Sequence, residues 1–222
     1  FLMIRRPPRS TLDRSSAASD VYKRQNMEVP KYFRTPREEA GAVGELALAD
    51  LRVLPKFGLK GAAAPAGLSA AGLSVPGEVY GWHSLEAQSG RIIRTGLREF
   101  FLEDGFSTER VQHMVETFVQ QPGDYPVIRQ AAGILLCGRN AATVLAQTCG
   151  VNFSEPVGKI VLSRVAGVSC ILMTVQEEGQ FSARIWCAAP YGIYLWTTLL
   201  EIVNDLGGMP VGLESIRGGE NK

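Results

Sequence analysis

A strand–turn–helix pattern that occurs twice in the chain constrains its fold most strongly. Residues 133–137 are continuously apolar, which is typical of a strand covered on both faces. Gly138 interrupts the run, Asn140 is a suitable helix N-cap, and apolar residues then recur at helical spacing as far as Gly150. The pattern predicts a buried strand, a glycine turn and a short helix.

An earlier segment repeats this pattern at a constant offset. Residues 58–73 align with residues 135–150, and the matched pairs are Gly61 with Gly138, Ala64 with Ala141, and Leu68 with Leu145. The similarity has two readings: chance among small residues, or two related units that form two lobes. The Gly, Ala and Pro content of residues 58–77 also suits a flexible linker. We favour a short helix that begins at Pro65 and stops at Gly72.

The remaining chain alternates between strand and helix patterns. Strands are predicted over residues 51–59, 91–103 (one bent or two successive), 159–165, 168–174 and 182–187. Helices are predicted over residues 111–119 and 190–206, and Trp82 and His83 are placed in a loop. We expect the last helix to bury a stripe that includes Tyr191, Tyr194 and Leu195. The fold class is therefore α+β, with a mostly antiparallel sheet and helices packed on it.

The first 25 residues differ from the rest of the chain in charge. They carry six basic and two acidic residues, a net +4, whereas the other 197 carry 17 and 20, a net −3. The segment lacks the apolar run of a signal peptide and resembles the translation of sequencing-adapter DNA. A genuine basic tail and an Arg-rich transit peptide are the alternatives. We expect residues 1–26 to be a disordered non-native extension, 27–208 one two-lobed domain, and 209–222 a flexible tail.

Composition argues against several functional classes. The net charge of +1 provides no basic field for nucleic acid. No apolar run approaches the ~18 residues needed to cross a membrane. The cysteines form no CxxC motif, which indicates buried reduced thiols and a cytoplasmic location. They are Cys137, Cys149, Cys170 and Cys187.

Motifs for catalysis and cofactor binding are not found in the sequence. His83 and His113 have no ligand-spaced partner, so no zinc site is expected. The sequence contains no GxSxG, no GxGxxG after a strand and no GxxxxGK[ST] motif. We therefore predict no catalytic residues and no metal site in this chain, and we leave its cofactor-binding residues unassigned.

Two groups of residues are candidates for binding. Arg98, Glu99 and Asp104, with Glu103 between them, would bind a polar ligand at a strand end. The alternative is outward-facing charges and an acidic turn before a helix N-terminus, where the helix dipole favours carboxylates. The second group is an aromatic cluster with the composition of a protein interface, although core packing explains it equally well. Its members are Trp186, Tyr191, Tyr194 and Trp196.

Four segments together resemble one protein family. They are FGLKG and GLSVP within residues 57–76, RTGLREFFLEDG at 94–105, GILLCGRNAATVLAQTCGVNF at 133–153, and RIWCAAPYGIYLWTTLLEIVNDLGG at 184–208. Their order resembles that of the gamma subunit of heterotetrameric sarcosine oxidase, a family that also serves related N-methyl-amino-acid dehydrogenases. The family often has an acidic residue before the PYGxYLW helix, where this chain has Ala188 and Ala189.

The resemblance implies a fold and a role. The fold would be a reduced form of the folate-binding aminomethyltransferase domain of the glycine cleavage system. The bacterial complex would demethylate sarcosine oxidatively, with FAD, FMN, NAD and tetrahydrofolate on other subunits and none on this chain. This chain would be the small non-catalytic partner of the alpha, beta and delta subunits. A stand-alone folate-binding one-carbon-transfer protein and a scaffold subunit of a related dehydrogenase are the alternatives.

Overall fold

The structure is a computed structural model that describes most of the chain. It covers residues 21–220 except 25–26, 87–88, 107–108, 129, 154–157, 159 and 178–179. The extension expected over residues 1–26 therefore lies mostly outside the described residues. Only its segment Val21–Arg24 is described, as a strand paired with Met27–Pro30.

The described elements mix strands and helices throughout. The strands are β1 (Val21–Arg24), β2 (Met27–Pro30), β3 (Ala47–Asp50), β4 (Lys56–Gly61), β5 (Trp82–Glu86), β6 (Ser89–Gly96), β7 (Glu99–Glu103), β8 (Asp124–Ile128), β9 (Ala131–Cys137), β10 (Ile160–Val165), β11 (Val168–Glu177), β12 (Gln180–Ala188) and β13 (Met209–Val211). The helices are α1 (Pro36–Glu45), α2 (Ala64–Ala70), α3 (Arg110–Thr117), α4 (Ala141–Thr148), α5 (Gly192–Asp205) and α6 (Leu213–Glu220).

Two sheets are built on the same plan. Within the described residues, the first sheet has the order β5-β6-β7-β4-β8 and the second has the order β10-β11-β12-β9-β3-β13. In each lobe a strand and a helix lead into a three-strand meander, whose last strand pairs antiparallel with the first strand of the lobe. A second helix and a final strand follow. The second sheet differs mainly because β3 is inserted between β9 and β13.

The residue pairs matched in the sequence occupy equivalent places in the two lobes. Gly61 and Gly138 follow the buried parts of β4 and β9 and have φ values of +123° and +109°. The matched alanines are the first residues of α2 and α4. The matched leucines belong to the same two helices and are fully buried. The prediction of two related strand–turn–helix lobes is confirmed, as is the short helix at Pro65, which begins one residue earlier than expected, at Ala64.

Helices α2 to α5 cover the outer faces of two sheets that face each other, whereas α1 and α6 pack on the opposite face of the second sheet, against Ala49 and Leu135. Residues of α2 and α3 pack on Phe100 and Leu102 of β7, whereas α4 and α5 pack on the second sheet. Phe101 points the other way, because side chains alternate along a strand. It joins Ile93 of the first sheet and Trp186 of the second in a shared apolar cluster.

Two predicted boundaries differ from the structure because of backbone pairing. The strand expected over residues 51–59 begins only at Lys56, because β3 ends at Asp50 and a turn ending in Pro55 connects it to β4. Trp82 is not in a loop but begins β5, where it pairs with Ile93 of β6. His83 follows it in the same strand.

The segment after Gly208, expected to be a flexible tail, is instead part of the fold. Strand β13 pairs with β3, and Leu213 of α6 is buried. The Glu39 carboxylate of α1 accepts hydrogen bonds from the Gly212 amide at 2.8 Å and the Ser215 hydroxyl at 2.5 Å. This buried carboxylate connects the two ends of the described chain, a contact that no local sequence pattern reveals.

Helix α5 buries a narrower stripe than the sequence predicted. Leu195, Leu199 and Val203 are its buried residues, whereas Tyr191 and Tyr194 at its beginning are exposed. The buried positions are four residues apart, so they form a single line along the helix. None of the described helices is long and apolar enough to cross a membrane.

We predict that Gly138→Ala lowers the free energy of unfolding by about 1–3 kcal/mol. Its φ of +109° disfavours an L side chain, and an added Cβ would lie 2.5 Å from the backbone carbon of Glu45. Urea denaturation measures the change. Gly41→Ala, in α1 with nothing within 4 Å of the added Cβ, is the control and should stabilise the helix by about 0.5–1 kcal/mol. Equal effects of the two substitutions would contradict the prediction.

Candidate functional site

A cleft lies where the two sheets meet. It has a volume of about 810 Å³ and is lined by residues that include Phe101, Gln130, Ala131, Leu162, Arg164, Ser169, Ile171 and Trp186. The rings of Phe101 and Trp186 meet edge to face, with centroids 5.6 Å apart. The cleft is therefore largely apolar where these two rings meet and polar where Gln130, Arg164 and Ser169 reach it.

The indole of Trp186 also contacts a buried charge cluster. Trp186 Nε1 donates a hydrogen bond of 2.6 Å to Glu103 Oε2, and Arg184 Nη1 donates one of 3.0 Å to Glu103 Oε1. Lys56 Nζ lies 3.3 Å from Glu103 Oε2. Glu103 and Lys56 belong to the first sheet, whereas Arg184 and Trp186 belong to the second, so one carboxylate joins the two lobes.

Lys56 reaches the cluster from a fully enclosed position. Its ammonium donates to the carbonyl oxygens of Leu51 at 3.0 Å and Leu54 at 2.8 Å. Burial lowers the pKa of Lys56, and the neighbouring Glu103 carboxylate opposes that shift. The two carbonyls and the carboxylate thus supply the partners that a buried ammonium requires.

A glycine makes room for the cluster. A Cβ on Gly133 of β9 would lie 3.2 Å from Glu103 Oε2 and 3.3 Å from Lys56 Cε. These distances are tighter than most Cβ contacts, so a larger residue at position 133 would displace the carboxylate or the ammonium. The apolar run that predicted β9 therefore begins with a residue that the buried charges require to be small.

The cluster joins strands of both sheets through hydrogen bonds and ion pairs. Both oxygens of Glu103 accept from donors on neighbouring strands, so the carboxylate is held in place by its partners. Across the part of the chain that the structure describes, no three His, Cys, Asp or Glu residues are arranged to hold a metal ion.

The predicted polar-ligand residues are not brought together. Arg98 precedes β7 and Asp104 follows it, so the length of this strand separates them. Glu99 forms a 3.0 Å ion pair with Lys60. The Asp104 carboxylate is buried and accepts from the backbone amides of Val111 and Gln112, at 2.9 and 3.0 Å. It thus caps the beginning of α3, which was the alternative reading.

The four aromatic residues of the predicted interface divide into two groups. Trp186 is buried between the sheets, whereas Trp196 is partly buried and packs against the core. Tyr191 and Tyr194 are 57% and 55% exposed. This corrects the expectation for Trp186, and the role of Tyr191, Tyr194 and Trp196 in binding stays a prediction.

The charge cluster was missed because its members lie far apart in the sequence. Glu103 and Arg184 are separated by 81 residues. A signal was nevertheless present: Lys56, Glu103 and Arg184 lie within or beside apolar strand runs, and charges in such places are buried only when paired. Which of these charges pair with one another could be seen only from the three-dimensional fold.

Comparison with known proteins shows the fold. No protein-family model and no curated protein sequence matches this chain. A chain of the heterotetrameric sarcosine oxidase from Corynebacterium sp. U-96, in complex with pyrrole 2-carboxylate, superimposes with a TM-score of 0.60 and 20% identity, over 79% of this chain and 96% of that chain.

A second solved structure has the same architecture. Glycine cleavage system aminomethyltransferase T from Bartonella henselae superimposes with a TM-score of 0.67 and 16% identity, over 93% of this chain. This chain spans 59% of the length of that protein. The predicted fold class is confirmed: this is a mixed α+β fold with antiparallel sheets, similar to both proteins.

We predict that Glu103→Ala lowers the free energy of unfolding by about 3–5 kcal/mol, because it leaves Lys56 and Arg184 buried without their carboxylate. Denaturant unfolding followed by circular dichroism measures this loss. Glu99→Ala is the matched control, because its ion pair with Lys60 is partly exposed and should contribute less than about 1 kcal/mol. A loss at position 103 no larger than at position 99 would contradict a linking role for the carboxylate.

Proposed function

We propose that this chain is the small, non-catalytic gamma-type subunit of a flavin-dependent sarcosine oxidase. The larger subunits would carry FAD, FMN, NAD and tetrahydrofolate, and they would pass the one-carbon unit from sarcosine to folate. This chain would stabilise their assembly and would supply no reacting group of its own.

The observation that carries the proposal is the near-complete match to one chain of a heterotetrameric sarcosine oxidase. The superposition covers 96% of that chain, so the likeness extends over a whole subunit. The order of the four sequence segments described above supports the same family. Fold alone does not determine function, so the proposal needs a test on the assembled complex.

An exposed apolar surface supports a binding role. Tyr191, Ile193 and Tyr194 surround the beginning of α5 and are 57%, 60% and 55% exposed. Adjacent exposed aromatic and aliphatic side chains are typical of protein interfaces. The Tyr194 hydroxyl donates a 3.2 Å hydrogen bond to the Ala166 carbonyl oxygen, which connects this surface to the β10–β11 turn. We propose that this surface contacts a larger subunit.

We predict that Ile193→Glu weakens binding to the larger subunits about tenfold or more, because it would bury an unpaired charge in the contact. Co-expression with the alpha, beta and delta subunits, followed by co-purification and flavin quantification, measures binding. Leu97→Glu is the control, since Leu97 is 77% exposed in the turn between β6 and β7. Normal assembly of the Ile193 variant would exclude this surface, and full activity of a complex without this chain would overturn the proposed role.

The cleft favours a second candidate function, a stand-alone folate-binding one-carbon protein. The fold is similar to that of an aminomethyltransferase, and the cleft offers the Phe101 and Trp186 rings near a polar rim. Aromatic and apolar walls with a few polar groups are typical of sites for small ligands.

Titration of the isolated full chain with tetrahydrofolate separates the two candidates. Binding would release or absorb heat in calorimetry and raise the melting temperature, and Leu162→Trp should weaken it by filling the cleft. Leu162 is 52% exposed, so this larger side chain should leave folding intact. Neither heat nor a thermal shift at millimolar ligand would exclude the folate candidate and leave the subunit role standing.

A further inference from the structure

Cys170 and Cys187 lie directly opposite each other on neighbouring strands. They are register partners in the antiparallel pair of β11 and β12. Both belong to the apolar cluster that packs under α4 and α5, so both side chains point to the same face of the second sheet. Opposite residues in such a pair have Cα atoms about 4.5–5.5 Å apart. A disulfide accepts about 4.4–6.8 Å between Cα atoms, so the spacing of the two strands permits a bond between these cysteines.

The two thiols also interact with each other. A hydrogen bond between them lowers the pKa of Cys187 and raises that of Cys170. Burial also acts on both thiols, and it raises the pKa of each. Cys137 differs, because burial alone raises the pKa of its thiol to about 12.

We propose that Cys170 and Cys187 are an oxidant-sensitive dithiol that hydrogen peroxide converts to a cross-strand disulfide. The proposal is independent of the proposed function. Each cysteine is 5% exposed, and both side chains point into the cluster under α4 and α5. Hydrogen peroxide is small and uncharged, so it can approach sulfurs that a bulky disulfide reagent would not reach.

The reaction proceeds in two balanced steps. The Cys187 sulfur attacks one peroxide oxygen, so that an S–O bond forms and the O–O bond breaks. The departing hydroxide takes the Cys187 proton and leaves as water, and Cys187 becomes a sulfenic acid. The Cys170 sulfur then attacks the Cys187 sulfur, an S–S bond forms, and the S–O bond breaks. The departing hydroxide takes the Cys170 proton and leaves as a second water. The two thiols are oxidised, and one peroxide is reduced to two waters.

The test is peptide mapping of the full chain after peroxide treatment under native conditions. Remaining thiols are blocked with N-ethylmaleimide in denaturant, and the chain is digested without reductant. We expect the intact chain to lose two hydrogen atoms and two of its four alkylatable cysteines. We also expect a linked peptide that joins Cys170 to Cys187 and disappears with dithiothreitol. This mapping requires no variant, so it stands even where a substitution impairs folding.

Three serine variants assign the linkage. Cys187→Ser should abolish it, whereas Cys137→Ser and Cys149→Ser should leave it unchanged. The Cys149 variant matters because this thiol lies close to Ser163, the register partner of Cys170. Absence of a linked peptide in the native chain, a Cys149–Cys170 linkage in its place, or equal formation of all pairings would each overturn the proposal.

Discussion

The arrangement of the two lobes depends on one buried carboxylate, that of Glu103. Apolar burial is not directional, so the cluster of Ile93, Phe101 and Trp186 alone would allow the sheets to slide against each other. Hydrogen bonds have defined distances and angles, and Glu103 makes them to Arg184 and Trp186 of the opposite sheet. The carboxylate therefore fixes which residues of the second sheet face β7, and with them the shape of the cleft.

The glycines have two different physical roles in this architecture. Gly61 and Gly138 turn the chain out of a buried strand at positive φ, in space where a Cβ would meet backbone atoms within 3 Å. Gly133 lies within a strand, where its missing side chain leaves room for Lys56 and Glu103. The first role is set by backbone conformation and recurs in both lobes, whereas the second depends on a single contact between strands.

This difference explains how much of the molecule could be predicted from its sequence. The repeat was visible because a glycine turn, an alanine and a leucine recur at fixed spacing, and each has a local cause. The β10–β11 hairpin was equally local, since Ala166 and Gly167 both adopt positive φ at its turn. The packing of the segment after Gly208 and the formation of the cleft could not be predicted from the sequence. Gly212 meets Glu39 across 173 residues, and Lys56, Glu103 and Arg184 converge only when the sheets face each other.

A charged cross-link between the lobes has a different consequence from an apolar one. Removing charges from water is costly, so a well-packed apolar substitute is often as stable as a buried ion pair. The cluster therefore matters more for the alignment of the two sheets than for the free energy of unfolding. An apolar substitute would allow β7 to align with β12 in several positions. The indole of Trp186 makes both kinds of contact, because its Nε1–H donates to Glu103 and its ring meets the Phe101 ring edge to face. The wall of the cleft is thus positioned by a charge that lies behind it.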